Sequence, residues 1–267
     1  VNRINETFKR LKKEGKRAFI PYVTAGDPDI KTTEKIVFAL VEAGADIIEL
    51  GIPFSDPMAD GPTIQKAVQR SLASGCTVKK IMGMARELRR SVQVPLVFMT
   101  YYNIIFNYGL ARFVADAKTA GVDGIIVPDL PMEEARPLAA IAEEADVCVI
   151  MLAAPTTPPA RFRRIAAASR GFIYYVSLTG VTGARKKLSG KLKIDVKRLK
   201  KMTSKPVCVG FGVSGPAQAR TVAEASDGVI VGSAIVKVIE TNLTRKSSIP
   251  SRVGSLAASI AKVVHGV

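Results

Sequence analysis

The sequence predicts a closed (β/α)8 barrel, a single domain over residues 1–267 with an extra helix at its N-terminus. Three observations predict it. Short apolar runs alternate with helical stretches from end to end of the 267 residues, as in a parallel sheet whose strands are each followed by a helix. Several of the runs are continuously apolar and rich in Val and Ile, the composition of strands buried on both faces. One plan also recurs at 42–50, 119–127 and 223–231: a helix ends, often on a Gly able to take positive φ, and a polar residue turns the chain into an apolar strand. A doubly wound open sheet is the competing fold. It would carry a Gly-rich turn after its first strand, whereas here that strand leads into Thr24-Ala-Gly-Asp-Pro28.

The elements follow in order. Residues 1–16 are charged and amphipathic and precede the barrel. Strands are expected at 19–23, 46–50, 96–99, 124–127, 147–152, 172–176, 207–209 and 228–231, each a short apolar run. Helical patterns fall between them at 31–43, 63–74, 78–91, 110–120, 133–145, 159–169, 195–202 and 216–225, and a last one at 252–264 closes the chain. Nothing resembling a linker or low-complexity segment divides it.

Composition narrows the class. Hydrophobic residues make up 48%, ample for a core, yet no apolar run approaches the roughly 18–20 residues that span a bilayer. The N-terminus lacks the apolar centre of a secretory signal. Three cysteines, Cys76, Cys148 and Cys208, are odd in number and widely spaced. The last two sit in apolar strand-like runs and read as buried thiols of a cytoplasmic protein. The net charge of +16 is spread over 9–17, 86–90, 161–170 and 185–201, with no interleaved aromatics to stack bases. It reads as a solvated basic surface, with a general pull on anionic substrates, and not as a nucleic-acid footprint.

In a barrel the functional face is the set of loops after the strands. The loop after the second strand, 51–62, is long and follows a carboxylate, Glu49, that ends an apolar strand. Desolvation there favours a proton held near neutral pH, which suits an acid that must also act as a base. Asp60, bracketed by Pro57, Gly61 and Pro62, is the second candidate, and Asp129 after the fourth strand is a weaker one. The same positions also suit a structural ion pair for Glu49 and a helix cap for Asp60 ahead of Pro62-Thr63. Gly210-Phe-Gly-Val-Ser-Gly215 and Gly232-Ser-Ala-Ile235 follow the last two strands, and Gly180-Val-Thr-Gly183 lies on the loop after the sixth. Glycines there let backbone N–H groups approach an anion, where barrels often hold phosphate.

Other chemistries lack their residues. The single histidine, His265, sits near the end of the sequence, away from any strand end, so a His triad or His metal site is not expected. There is no Cys/His cluster for zinc, no Gly-x-x-x-x-Gly-Lys phosphate loop, and no Lys at an obvious strand end for Schiff-base chemistry. Carboxylates, a phosphate cradle and no metal or cofactor together indicate proton transfer on a sugar or glycerol phosphate.

The chain resembles the family of tryptophan synthase α subunits. Six motifs carry the resemblance, in order from Phe19 to about Glu240: Glu49-Leu-Gly-Ile-Pro-Phe-Ser-Asp-Pro-Met-Ala-Asp-Gly-Pro-Thr-Ile-Gln65, Met99-Thr-Tyr-Tyr-Asn103, Val127-Pro-Asp-Leu-Pro131, Gly180-Val-Thr-Gly183, Gly210-Phe-Gly-Val213 and Gly232-Ser-Ala-Ile-Val236. The resemblance implies retro-aldol cleavage of indole-3-glycerol phosphate to indole and glyceraldehyde 3-phosphate, without metal or cofactor in this chain. It implies that Glu49 protonates the indole carbon bearing the chain and takes the side-chain hydroxyl proton. Asp60 would accept the indole N–H. The phosphate would rest on Gly183, Gly212, Val213, Gly232 and Ser233, with Phe211, Tyr101, Met99 and Ile64 walling the indole. Tyr174 matches the family's site tyrosine better than Tyr175, and alternation lets only one face inward. Thr182 would close a loop over the substrate and touch Asp60. Residues 53–60 and 179–187 would contact a β subunit carrying pyridoxal phosphate, in an α2β2 complex that passes indole between subunits. Met58, Met99 and the basic run Arg185-Lys186-Lys187 depart mildly from the family pattern. A related phosphate-binding barrel enzyme, a standalone lyase releasing free indole, and a basic nucleic-acid binder are the competing readings.

Overall fold

A computed structural model describes residues 2–177, 185–210 and 212–267, the side chains of 185–191 excepted. Its strands are β1 (Ala18–Thr24), β2 (Ile48–Gly51), β3 (Leu96–Met99), β4 (Gly124–Ile126), β5 (Cys148–Ile150), β6 (Leu152–Ala153), β7 (Ile173–Val176), β8 (Val207–Gly210) and β9 (Gly228–Val231). They form one parallel sheet in the order β5-β4-β3-β2-β1-β9-β8-β7-β6. The two ends of that order, β5 and β6, are separated only by Met151, whose carbonyl accepts from Tyr174 N–H at 3.0 Å. The chain itself therefore closes the ring, and the run expected as one strand at 147–152 is a barrel strand broken at a single residue.

Alternation along the strands sorts side chains into two layers. Ala18, Ile20, Ile47, Val97, Ile126, Cys148, Ile150, Phe172, Tyr174, Cys208 and Ile230 fill the barrel. Their neighbours Phe19, Val23, Ile48, Leu50, Phe98, Ile125, Val149, Ile173, Tyr175 and Val229 face the surrounding helices. The helices in chain order are α1 (Arg3–Lys13), α2 (Ile30–Glu42), α3 (Pro62–Ala73), α4 (Val78–Arg89), α5 (Tyr102–Tyr108), α6 (Leu110–Thr119), α7 (Arg136–Glu144), α8 (Pro159–Ala168), α9 (Arg185–Lys200), α10 (Pro216–Ala223), α11 (Ser233–Thr241) and α12 (Ile249–His265).

Three of these depart from the sequence reading. Residues 101–108, expected as loop, contain α5. Its aromatic and β-branched residues are poor helix formers, but buried Ile105 anchors it and Asp129 Oδ1 accepts from Tyr102 N–H at 2.9 Å. Residues 232–235, also expected as loop, open α11, whose Ile235, Val236 and Ile239 are buried. The helix expected at 195–202 reaches back to Arg185, through a stretch with too few apolar residues to show a stripe.

α1 is the floor of the barrel. Ile4, Phe8 and Leu11 recur at helical spacing and join the interior cluster, with the Phe8 ring 5.7 Å from that of Phe172. Asn2 caps the helix by accepting from Ile4 N–H at 3.0 Å, and its amide donates to Asp123 O at 2.8 Å and Asp146 O at 2.9 Å. Asp46, at the entry to β2, joins the chain's first and last helices: its carboxylate accepts from Phe19 N–H at 2.9 Å, meets Arg10 at 3.1 Å and lies 2.7 Å from His265 Nε2. The N-terminal end of the barrel is thus plugged and cross-tied, which leaves the C-terminal end for chemistry. Phe8→Ala is expected to cost about 3 kcal/mol through the cavity it leaves, read as a lower urea midpoint at unchanged m. A loss under about 1 kcal/mol on that scale would show that α1 packs only loosely on the floor.

Candidate active site

Glu49 stands on the inward face of β2, in register with Tyr22 on β1 and Val97 on β3. It is 1% exposed, and neither carboxylate oxygen has a hydrogen-bond partner among the described residues. The structural ion pair open to this residue in the sequence is therefore absent among them. Burial, and then the charge of Asp60, push its pKa up to about 8. A carboxyl so placed holds its proton at neutral pH while remaining able to release it.

Asp60 is half-buried on the loop after β2. Its Oδ2 accepts from the Tyr101 hydroxyl at 3.0 Å, and that same hydroxyl oxygen accepts from Ala59 N–H at 3.0 Å. Phe54 packs on Tyr101, with ring centroids 5.3 Å apart. One tyrosine at the end of β3 therefore fixes the loop and its carboxylate. Burial raises the Asp60 pKa and the Tyr101 hydrogen bond opposes the rise. Gly61, not Asp60, is the N-cap of α3, and no side chain caps that helix. The cap reading is excluded, and the Asp60 carboxylate is left to face the barrel mouth.

Tyr174 faces the barrel interior and Tyr175 the helical layer. The Tyr174 hydroxyl lies over Gly210, where a Cβ would sit 2.4 Å from it, and the Tyr22 hydroxyl lies over Gly51, where a Cβ would sit 2.1 Å away. Two glycines at strand ends thus make room for two phenols. Burial and nearby carboxylates hold both phenols well above their ordinary pKa, so both stay neutral. Ile64 and Met99 form a further cluster with Tyr22, Ala67, Val68 and Val236. Tyr22 and its neighbour Thr24 escape a reading confined to loops; the signal for them is inward alternation from Ala18 through Ile20, which brings a polar tip to the end of β1.

β8 and β9 are hydrogen-bonded neighbours, so the loops that follow them stand side by side. Gly212 holds φ 81° and Val213 is buried. Gly232 is the N-cap of α11 and Ser233 its first residue. Adjacent glycine loops and a helix N-terminus can hold an anion on backbone N–H groups. Asp129 is exposed, accepts from the first N–H of α5, and lines a cavity of about 420 Å³ with Met151, Leu152, Thr157 and Val176. Thr182, Gly183 and Phe211, named from the sequence, lie outside the described residues.

Behind the site, Arg70 of α3 makes a bidentate pair with Asp27, both bonds 2.8 Å, and approaches Glu240 of α11 at 3.9 Å. The loop after β1, the helix after the Asp60 loop and the helix after β9 are joined through this one guanidinium.

The Glu49 environment has a consequence for stability. Its pKa is raised on folding, from 4.5 to about 8, so its contribution is complete below the unfolded value and is lost as pH rises through the folded one. Between those two values the single group lowers stability by about 1.4 kcal/mol per pH unit. Glu49→Gln is expected to remove that slope, so urea unfolding of the two proteins should diverge steadily from pH 5 to pH 8. Parallel curves would mean that Glu49 is ionised in the fold.

The family described as tryptophan synthase alpha chain matches residues 8–265. A tryptophan synthase alpha chain of Geotalea daltonii is 48% identical over 263 residues, 98% of this chain and 100% of that one. The crystal structure of tryptophan synthase subunit alpha from Legionella pneumophila superposes with a TM-score of 0.93 at 37% identity, covering 100% of both chains. A chain of the tryptophan synthase α2β2 complex of Pyrococcus furiosus superposes at 0.86 and 40% identity, covering 92% of this chain and 99% of that one. With its carboxylate pair at the barrel mouth and these likenesses along its length, the chain belongs to the tryptophan synthase alpha chain family.

Proposed function

We propose that this chain cleaves indole-3-glycerol phosphate to indole and glyceraldehyde 3-phosphate, with Glu49 and Asp60 as the groups that move and hold the protons. The reaction is a retro-aldol carbon–carbon cleavage. Protonated Glu49 gives its proton to the indole ring carbon that bears the glycerol chain, and the ring becomes an indolenine with positive charge at nitrogen. Asp60 accepts the ring N–H and stabilises that charge. Glu49, now a carboxylate, takes the proton of the hydroxyl on the neighbouring chain carbon. That carbon becomes the aldehyde, the bond to the ring breaks, and its electron pair restores the aromatic ring. Proton count and charge balance within one residue that serves first as acid and then as base.

The observation that carries this reading is the buried Glu49 carboxyl, unpartnered among the described residues and with its pKa pushed up to about 8. Tyr174, Met99, Ile64, Tyr101 and Phe211 serve as walls for the indole. Gly183, Gly212, Val213, Gly232 and Ser233 serve as the phosphate cradle, Thr182 as the residue that closes over the substrate, and Asp129 as a rim residue that holds α5 behind Tyr101. The barrel acts as one domain, in the cytoplasm, with no cofactor of its own.

The partner is a β subunit in an α2β2 assembly, as in the Pyrococcus furiosus complex. Met58 on the loop after β2 is 87% exposed and Phe106 on α5 is 63% exposed. Two large apolar side chains held in water on neighbouring C-terminal elements suit a surface that is covered in an assembly. Among the described residues no helix is long and apolar enough to cross a membrane.

Indole release from indole-3-glycerol phosphate, by the purified chain alone and with a tryptophan synthase β subunit, tests this directly. Slow release alone with a large increase on adding β is the expected result. Fast release that β leaves unchanged would indicate a standalone lyase, and no release in either case would overturn the reading. Glu49→Gln should lower kcat by roughly 10²–10⁴-fold and Asp60→Asn by roughly 10²–10³-fold, both retaining fold and phosphate affinity. Turnover like the wild type in either variant would remove that residue from the mechanism.

A further inference from the structure

Tyr22 runs from the anion-binding end of the site to the acid. One edge of its ring faces Gly232: a Cβ there would lie 3.4 Å from Tyr22 Cδ1 and 3.6 Å from Cγ. The far end of the ring reaches β2, where a Cβ on Gly51 would lie 2.6 Å from Cζ and 2.1 Å from the hydroxyl oxygen. Glu49, in register with Tyr22, precedes Gly51 by two residues on the same inward face. The ring is held in place by Ile64, Ala67, Val68, Val236 and Met99 and is 7% exposed.

The hydroxyl has little to do in the empty site. Among the described residues its one hydrogen bond is with Thr24 Oγ1 at 3.2 Å, long for a pair of hydroxyls, which prefer about 2.7–2.8 Å. A phenylalanine would fill the apolar cluster equally well without burying a polar atom, which costs free energy unless it is well bonded. A phenol offers one donor and also accepts, so this one retains capacity for a ligand. Burial and the nearby Asp60 charge keep it protonated, so it is a donor throughout the neutral range.

A substrate whose phosphate rests on Gly232 and Ser233 and whose reacting carbon meets Glu49 lays its three-carbon chain along this ring, and that chain carries two free hydroxyls. We propose that Tyr22 is a specificity-determining residue: its O–H donates to a hydroxyl oxygen of the glycerol chain, so the site reads the chain's oxygens as well as its length. The inference rests on the assignment of indole-3-glycerol phosphate as substrate. Thr24 Oγ1 is the resting partner that the substrate hydroxyl replaces or extends.

The test compares two ligands that differ only in the chain. Indole-3-glycerol phosphate carries both hydroxyls, and indole-3-propanol phosphate carries neither. Dissociation constants are measured by calorimetry for Tyr22→Phe in a Glu49→Gln background, where the substrate persists, against Glu49→Gln alone. Loss of one neutral hydrogen bond should weaken indole-3-glycerol phosphate about three- to ten-fold and leave the propanol phosphate within about twofold, a change below the range of a single hydrogen bond. Equal weakening of both ligands would assign Tyr22 to packing alone, and no change in either would show the hydroxyl idle; each overturns the proposal. A wild-type protein that releases no indole would instead overturn the substrate assignment, which is a separate observation.

Discussion

The site is organised around one unmet requirement: a carboxyl group taken out of water and given nothing to pair with among the described residues. Five acids in the described structure are buried: Asp27, Asp46, Glu49, Asp123 and Asp195. Four of them meet a cation. Asp27 lies 2.8 Å from Arg70, Asp46 3.1 Å from Arg10, Asp123 2.8 Å from Arg89 and Asp195 3.4 Å from Arg198. The chain has guanidinium groups to place, with 39 Lys and Arg against 23 Asp and Glu, and places none beside Glu49 among the described residues. An ionised carboxylate in such a position would cost several kcal/mol, so the group stays protonated instead. Its neighbours fit that state: Tyr22 and Tyr174 are neutral phenols, and Val97 is apolar. A cation at any of those positions would pair Glu49, lower its pKa and end its use as an acid.

Holding an unpaired acid requires a scaffold stabilised elsewhere, and the barrel divides the two tasks between its ends. At the N-terminal end α1 fills the floor. Asp123 there accepts from Leu96 N–H at 2.9 Å as well as from Arg89 and Arg3, and Asp46 gathers the first and last helices. Asp123 and Arg89 are both largely buried, and breaking such a pair from one side is costly, on the order of 3–5 kcal/mol, so this end resists opening. The C-terminal end carries what stability alone would avoid: an acid unpaired among the described residues, exposed Met58 and Phe106, and a loop whose carboxylate is held by Tyr101. Arg70 is the exception, an ion-pair hub at the functional end. It steadies the elements behind the loops after β1, β2 and β9 and leaves the loops' inner faces to the site.

Much of this was legible in the sequence because the signals were local. A Val- and Ile-rich run that ends on Glu49 reads as a buried strand with a misplaced charge, and the structure has that charge facing inward. Tyr174 and Tyr175 are sorted by period-two alternation, which is a property of the strand itself. The misses have physical reasons. α5 has poor helix formers and owes its form to Ile105 and to the distant carboxylate of Asp129, neither of which a local pattern reveals. α11 begins so soon after β9 that its first turn reads as loop. Tyr22 is silent in the sequence because it lies within a strand, where an aromatic ring is ordinarily core; the register with Glu49 and the bare Cα of Gly51 set it apart. The choice between cap and catalyst at Asp60 depended on which residue adopts the cap conformation, and spacing does not decide between neighbours such as Asp60 and Gly61.

The two carboxylates also bias each other's ionisation. Both have raised pKa values, and for both burial is the largest cause. They differ in what opposes it. Asp60 is closer to solvent and receives a hydrogen bond from Tyr101, which favours its charged form; Glu49 receives none and feels the Asp60 charge in addition. Asp60 therefore ionises first, and once charged it makes ionisation of Glu49 harder still. Of the two, Glu49 is the one that keeps its proton to the higher pH. Environments that push two titratable groups apart in this way assign the acid and the anion before any substrate arrives. A ring nitrogen that turns positive at Asp60 would reverse the bias, because a cation beside Asp60 cancels the charge that held the proton on Glu49. In the proposed cleavage the step that creates the positive ring would be the one in which Glu49 gives its proton up, so the ring cation would stabilise the Glu49 carboxylate at the moment that carboxylate had to serve as the base.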